Sequence, residues 1–296
     1  MTLGAIQPPP PRITWIGLIR DGLDYLETER PVAGDDQELI HYRTVLSGNN
    51  PNLRTVLRVC GYLKGELDYN RQFPTWLRSV FGSLYEKVNH SEVLQALRRF
   101  HQKGARLMTT NYDDLLERHC GLQRIRRSIP DDVRKYEQGT LDGVFHIHGS
   151  FQDLQEMVLD PVDYYQVKTS DDVQNLLKTY LGHSTILFVG CGSGLDDPNF
   201  NALLEWASSR EENIPNHHYL LTRDEDDIRY NPLITLRYGR NYNNLAPYLN
   251  ALLEDPASAS TANASAGSMT SAESGPAAQQ AQPESMASSS NVRTPM

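Results

Sequence analysis

Apolar residues recur every three or four positions through the amino-terminal third of the chain, which is the period of an amphipathic helix. The pattern begins near Trp15 and returns in stretches that begin near Leu53 and Trp76. A further stretch opens after Ser91, a residue type favoured at helix starts, and closes before Gly104, which suits the position after a helix. The amino-terminal part is therefore predicted to be helical.

The period shortens after this region, and short apolar runs begin to alternate with helical stretches. Strands are predicted at residues 105–109, 144–150, 185–190, 217–222 and 234–238. The run 185–190 is apolar almost throughout, which is typical of a strand buried on both faces. Strand, helix and strand in succession predict an α/β fold, with a Rossmann-like and mostly parallel sheet flanked by helices.

Three parts of the chain lack a regular period. Residues 1–11 end in a run of prolines, which predicts a stiff proline-rich arm ahead of a domain spanning residues 12–254. Residues 122–143 are polar and basic, and their arginines favour a solvated loop over a phosphate-binding patch. Residues 255–296 consist mainly of Ala, Ser, Thr, Pro and Gln, which predicts a disordered low-complexity tail.

Charge and cysteine usage narrow the class of protein. A net charge of −9 argues against a general binder of nucleic acid or anionic membranes, whose surfaces are basic. No apolar run approaches the roughly 20 residues of a membrane helix, and the amino terminus does not resemble a secretory signal. The 3 cysteines form no Cys-x-x-Cys pair, so neither disulfides nor a zinc site are expected. The chain is therefore predicted to be intracellular, with the cytoplasm favoured.

Functional side chains follow three of the predicted strands at the point where each strand ends. The first end carries Thr110, Asn111 and Asp113, the second carries His148, and the third opens a glycine-rich loop at residues 190–194. Ligands of open parallel sheets bind outside the carboxyl ends of the strands. Glycines between a buried strand and a helix also let backbone N–H groups approach a phosphate. These residues are therefore the candidate site.

Each of these features also has a plainer interpretation. Asn111 and Asp113 belong to the residue types preferred at helix starts, and a glycine-rich loop is common wherever the chain turns. His146 and His148 face the same side of a strand, as two metal ligands would, but no partner lies at ligand spacing. His146 is therefore interpreted as structural, whereas His148 at the strand end is a credible general base.

Three segments carry a family resemblance. They read Thr-Thr-Asn-Tyr-Asp-Asp-Leu-Leu-Glu at 109–117, His-Ile-His-Gly-Ser at 146–150 and Val-Gly-Cys-Gly-Ser-Gly-Leu-Asp-Asp-Pro-Asn-Phe at 189–200. Together and in this order they resemble the sirtuin-like domain family, and most closely its branch in bacterial anti-phage defence proteins and fungal proteins. The resemblance extends over residues 12–254. It implies a Rossmann-type parallel sheet with a helical insertion that binds NAD.

The resemblance also implies roles for the candidate residues. Asn111 matches an asparagine that positions the nicotinamide ribose or a water, and His148 matches the general base. Asp113 matches an aspartate that supports the nicotinamide site. The cofactor-binding positions that it implies are Thr110, Asn111, Gly190, Gly192 and Ser193. The reaction implied is NAD and water giving ADP-ribose and nicotinamide, an NAD hydrolase activity.

Two departures from the family pattern leave alternatives open. The chain has no four-cysteine zinc module, so we expect no zinc and rank protein deacylation below NAD hydrolysis. The family's Gly-Ala-Gly-x-Ser loop, which cradles the pyrophosphate, is also absent from the printed sequence. The alternative is therefore a catalytically impaired interaction or regulatory module. NAD is the expected partner, a homo-oligomer is left open, and neither nucleic acid nor a membrane is expected.

Overall fold

The computed structural model describes residues 5–29, 36–48, 51–191, 195, 204–205, 208, 216–226 and 228–254. The predicted tail at 255–296 lies outside the described residues. None of the described helices is both long and apolar enough to cross a membrane.

Five helices form the amino-terminal part of the protein. They are α1 (Trp15–Glu29), α2 (Gln37–Ser47), α3 (Leu53–Tyr69), α4 (Phe73–Phe81) and α5 (Glu92–Gln102). α1 packs closely on α3 and α4, because a Cβ atom at Gly22 would lie 2.6 Å from Leu63 and 2.8 Å from Trp76. The indole N–H of Trp76 donates to Asp21 at 2.9 Å. The buried side chains of α1 to α4 form one core, which also includes Leu94 of α5. The other buried side chains of α5 belong to a separate core.

The proline-rich segment lies against this helical core. Ala5 and Ile6 are buried, and the N–H groups of Asn89 and His90 both donate to the carbonyl of Ala5. The side chain of Asn89 also accepts from the N–H of Gln7 and donates to its carbonyl. This part of the predicted arm is therefore fixed by the loop that precedes α5.

In the described residues, the strands form two parallel sheets of three strands each. The first sheet has the order β1 (Leu107–Thr109), β3 (Val144–His146) and β2 (Arg124–Ile125). The second has the order β4 (Leu187–Phe188), β5 (Tyr219–Thr222) and β6 (Ile234–Arg237). The remaining helices whose bounds lie within the described residues are α6 (Leu115–Cys120), α7 (Pro130–Gln138), α8 (Pro161–Thr169), α9 (Asp171–His183) and α10 (Leu245–Leu252). The predicted α/β class with parallel strands and flanking helices is confirmed, although the described strands form two sheets.

The polar segment 122–143 contains regular structure that its composition conceals. It forms β2 and α7, which the irregular period did not predict. Within α7 only Val133 and Tyr136 are buried, one turn apart, while charged residues occupy most of the other positions. No helix is predicted at α8 either, although its first residue is Pro161 and proline is common at the first position of a helix.

Candidate functional site

The loop after β1 is held against the end of β3. Thr109 accepts a hydrogen bond at its carbonyl from the N–H of Ile147, at 2.9 Å. Its hydroxyl oxygen accepts a second bond from the N–H of Asn111, at 3.0 Å. Because backbone and side chain of Thr109 are both engaged, the position of Asn111 is fixed relative to the two strand ends.

His146 contacts both the loop that follows β1 and the turn that follows β3. Its Nε2 lies 2.5 Å from Glu117 Oε1, and its Nδ1 lies 3.1 Å from the carbonyls of both Asn111 and Gly149. Burial lowers the pKa of His146, but the hydrogen bond and charge of Glu117 outweigh it and raise that pKa above its ordinary value. The structural interpretation of His146 is confirmed, and Glu117, which the sequence analysis did not single out, is its partner.

Asp113 lies in the same buried group, behind the loop. Its Oδ1 accepts from the N–H of Leu115 at 3.2 Å, a bond typical of a helix start. Its Oδ2 is buried and has no hydrogen-bond partner among the described residues. Burial raises the pKa of Asp113 to about 6. Asp113 does not line the cavity that Thr110, Asn111 and His148 share, so the structure separates it from these candidate residues.

A cavity of about 1460 Å³ extends along β1 and β4 and reaches the residues that follow β1, β3 and β4. Four of the candidate residues line it, namely Thr110, Asn111, His148 and Gly190. The ring of His148 packs edge-on against Tyr164, with the ring centroids 5.5 Å apart. The structure thus brings three strand ends to one space. Gly192 and Ser193 lie outside the described residues.

The backbone around His148 is held by the segment that follows it. The carbonyl of His148 accepts from the N–H of Val158 at 2.9 Å, and the hydroxyl of Tyr112 donates to the carbonyl of Val158 at 2.5 Å. Gly149 has φ +73°, and a Cβ atom there would lie 2.3 Å from the carbonyl oxygen of Glu156. The turn after His148 therefore requires glycine for both conformation and space.

Arg127 contributes to the same scaffold. Its guanidinium donates to the carbonyl of Ile147 at 2.9 Å. The buried Glu156 carboxylate accepts from the N–H groups of Arg127 and Ser128, at 3.2 and 2.9 Å. The prediction of a solvated loop is therefore wrong for Arg127, whose contacts are visible only once the chain is folded.

No metal centre is evident in the described part of the chain. There, no three His, Cys, Asp or Glu side chains are grouped in a way that could hold an ion. The charged lining of the cavity, among the same residues, is limited to Arg106. Its guanidinium is 3.5 Å from Asp142 and lies over the ring of Tyr136.

Comparison with known proteins agrees with the three motifs. Residues 105–246 match the family described as the SIR2-like domain. A segment of 137 residues is 28% identical to "Defense-associated sirtuin 2" of Bacillus subtilis, and this match covers 44% of the chain and 13% of that relative. α1 to α5 precede the range that the family matches. The predicted resemblance is confirmed, and over residues 105–246 the chain is similar to the sirtuin-like family.

Proposed function

We propose that this protein binds NAD at the carboxyl ends of β1, β3 and β4 and hydrolyses it to ADP-ribose and nicotinamide. The observation that carries the proposal is the shared cavity, in which Asn111 and His148 lie on two strand ends and Gly190 lies on a third. The similarity to the SIR2-like domain over residues 105–246 supports NAD as the ligand.

The proposed hydrolysis requires few catalytic groups from the protein. The bond between the ribose carbon and the nicotinamide nitrogen breaks, and nicotinamide leaves with the electron pair. A water oxygen then bonds to the ribose carbon and gives up a proton. Such a step depends on orientation and a base rather than on a strong nucleophile. Asn111 would orient the ribose or the water, and His148 would accept the proton.

Nicotinamide release from NAD tests this proposal directly. The purified chain should release nicotinamide, and His148→Ala should slow release by at least about 100-fold, since a general base contributes that much or more. Asn111→Ala should also slow it, because the reacting groups would lose their alignment. Chromatographic measurement of nicotinamide and ADP-ribose over time gives the rates.

Two substitutions of the same residue types serve as controls. His90→Ala and Asn70→Ala change exposed side chains that do not line the cavity. Both variants should keep the rate of the unmodified chain. The absence of nicotinamide release by the unmodified chain would reject hydrolysis.

A second candidate function is NAD binding without turnover. Among the described lining residues Arg106 is the one Lys or Arg, and it already contacts Asp142 and Tyr136, so the cavity offers little positive charge for a pyrophosphate. Calorimetric titration with NAD and ADP-ribose separates the two candidates. Binding without nicotinamide release would support this second function, and the absence of binding would reject both.

A further inference from the structure

Two backbone hydrogen bonds join the loop after β1 to the turn after β3. The N–H of Ile147 donates to the carbonyl of Thr109 at 2.9 Å. The N–H of Phe151 donates to the carbonyl of Tyr112, also at 2.9 Å. Asn111 lies between Thr109 and Tyr112 in the chain, so one of these bonds holds the loop on each side of it.

Between these two bonds, the loop and the turn are joined through the ring of His146. The carbonyls of Asn111 and Gly149 each lie 3.1 Å from its Nδ1. Carbonyl oxygens accept hydrogen bonds but cannot donate them, so these two carbonyls cannot bond to each other. A proton on Nδ1 supplies the donor that both of them need. The two contacts from Nδ1 to these carbonyls are called the His146 bridge.

The other nitrogen of the same ring also faces an acceptor. Nε2 of His146 lies 2.5 Å from Oε1 of Glu117, and both side chains are buried. A neutral imidazole carries one N–H group and one acceptor nitrogen, whereas an imidazolium carries two N–H groups. A carboxylate at Nε2 and two carbonyls at Nδ1 therefore require the ring to be an imidazolium.

The charged groups that face His146 are carboxylates. Burial lowers its pKa, but Glu117 of α6 and Asp113 of the loop after β1 raise it, and the result lies above the ordinary value of 6.5. The guanidinium groups of Arg118 and Arg124, on α6 and β2, donate to other side chains. The second ring proton is therefore present below this raised pKa and is lost as pH rises through it.

We propose that His146 is a positioning residue, whose imidazolium holds the carbonyls of Asn111 and Gly149 together and thereby sets the spacing between Asn111 and His148. The proposal rests on the hydrolysis proposed above, in which these two side chains act on one substrate. A displacement of about 1 Å in a reacting group can slow a reaction by about 100-fold. The two flanking backbone bonds do not involve the ring, so the fold does not depend on the His146 bridge alone.

High pH should break the His146 bridge in a defined way. When the ring loses one proton to solvent, the carboxylate of Glu117 favours the proton that remains on Nε2. Nδ1 then carries a lone pair that faces two carbonyl oxygens, and three acceptors have no donor between them. The carbonyls of Asn111 and Gly149 should therefore move apart.

Nuclear magnetic resonance of the histidine rings tests the protonation state without any NAD. The ring nitrogen signals of His146 are assigned by through-bond correlation to its backbone in a chain with isotope-labelled histidine. At pH 6.5, the ordinary pKa of the imidazole, most His146 rings should carry both protons. As pH rises further, Nδ1 should lose its proton before Nε2 does. A ring that is mostly neutral at pH 6.5 would overturn the proposal.

Two amide substitutions separate the two sides of the ring. In His146→Asn the new amide lies near the position of Nδ1 and can donate to the two carbonyls. In His146→Gln the longer side chain places its amide near the position of Nε2, beside Glu117. His146→Gln should therefore lower kcat for nicotinamide release by at least about 100-fold, whereas His146→Asn should stay within about tenfold of the unmodified chain. KM should change little in either variant, since the groups that contact NAD are kept.

Urea unfolding of the same two variants provides the control. A purely structural role for His146 predicts that rate and stability fall together and equally in both. Equal values of kcat in the two folded variants would overturn the proposal. If either variant fails to fold, the ring signals of the unmodified chain still decide the question.

Glu117→Gln removes the charge of the partner and keeps its hydrogen bond. The new amide can donate to Nε2, so a neutral ring keeps its proton on Nδ1 and the His146 bridge survives at high pH. Nicotinamide release by the unmodified chain should fall as pH rises through the pKa of His146, and release by Glu117→Gln should not fall there. The same decline in both chains would overturn the proposal.

The carbonyl carbon signals of Asn111 and Gly149 make this comparison independent of turnover. Both signals should shift as His146 titrates in the unmodified chain, and both should stay constant over that pH range in Glu117→Gln. If the unmodified chain releases no nicotinamide, hydrolysis is rejected, and these signals still show whether the His146 bridge exists. Carbonyl signals that stay constant in the unmodified chain would overturn the proposal.

Discussion

Three buried ionisable side chains lie behind the loop that follows β1: Asp113, Glu117 and His146. Glu117 and His146 hydrogen-bond each other, and His146 also holds two backbone carbonyls. A buried carboxylate and imidazole that lose their partner commonly cost a protein about 3–5 kcal/mol. The pair therefore fixes both loops that carry Asn111 and His148.

Asp113 makes stability depend on pH. Its pKa rises from 3.8 to about 6 on folding, so the folded chain keeps this proton while the unfolded chain releases it. The folded state is then favoured at low pH, and this contribution is lost as pH rises from about 4 to about 6. Asp113→Asn should remove this pH-dependent loss of stability. For a pKa change of about two units, the loss in the free energy of unfolding is at most about 3 kcal/mol.

Urea unfolding of the two chains between pH 4 and pH 7 measures this effect. Asn can still accept the hydrogen bond from the N–H of Leu115, so the helix start is preserved. The variant should gain stability relative to the unmodified chain as pH rises. The same pH dependence in both chains would show that folding does not raise the pKa of Asp113.

At the scale of elements, the turn after β3 positions His148. Gly149 has a positive φ and lies against Glu156, as described above. Gly149→Ala should cost about 3 kcal/mol, which combines the left-handed backbone with the close contact. Gly121→Ala is the matched control, because Gly121 has φ +70° with nothing within 4 Å of the added Cβ. It should cost only about 1 kcal/mol.

The difference between the two glycine variants is the decisive quantity. Thermal or urea unfolding gives the free energy of unfolding for each variant. The Gly149→Ala variant should also release nicotinamide more slowly if His148 is the base. Equal losses of stability would show that Glu156 moves away and that the turn is not rigid.

Most elements are predictable from local patterns, and the failures have local causes. α5 is bounded by Ser91 and Gly104 as the sequence predicts, with φ +98° at Gly104. α7 was missed because few of its residues are buried, and α8 because a proline can begin a helix as well as end one. Elements with a weak apolar face are therefore the ones that sequence periodicity overlooks.

At the scale of the molecule, the sequence predicts which residues form the candidate site, but it does not predict which residues hold them in place. Asn111 and His148 were predicted to converge because parallel strands end at one edge, and both line the cavity. Glu117 and Arg127 could not be predicted, since their partners are distant in sequence.

The cavity at the strand ends also affects how stable the molecule is in solution. A ligand that binds only the folded state stabilises it by mass action, by about 2.7 kcal/mol at 100 times its dissociation constant. If NAD binds in this cavity, the Tm should therefore rise with the concentration of NAD, and differential scanning fluorimetry can follow the rise. A constant Tm would contradict NAD binding to the folded chain. The concentration of NAD would thus set the folded fraction of a marginally stable chain.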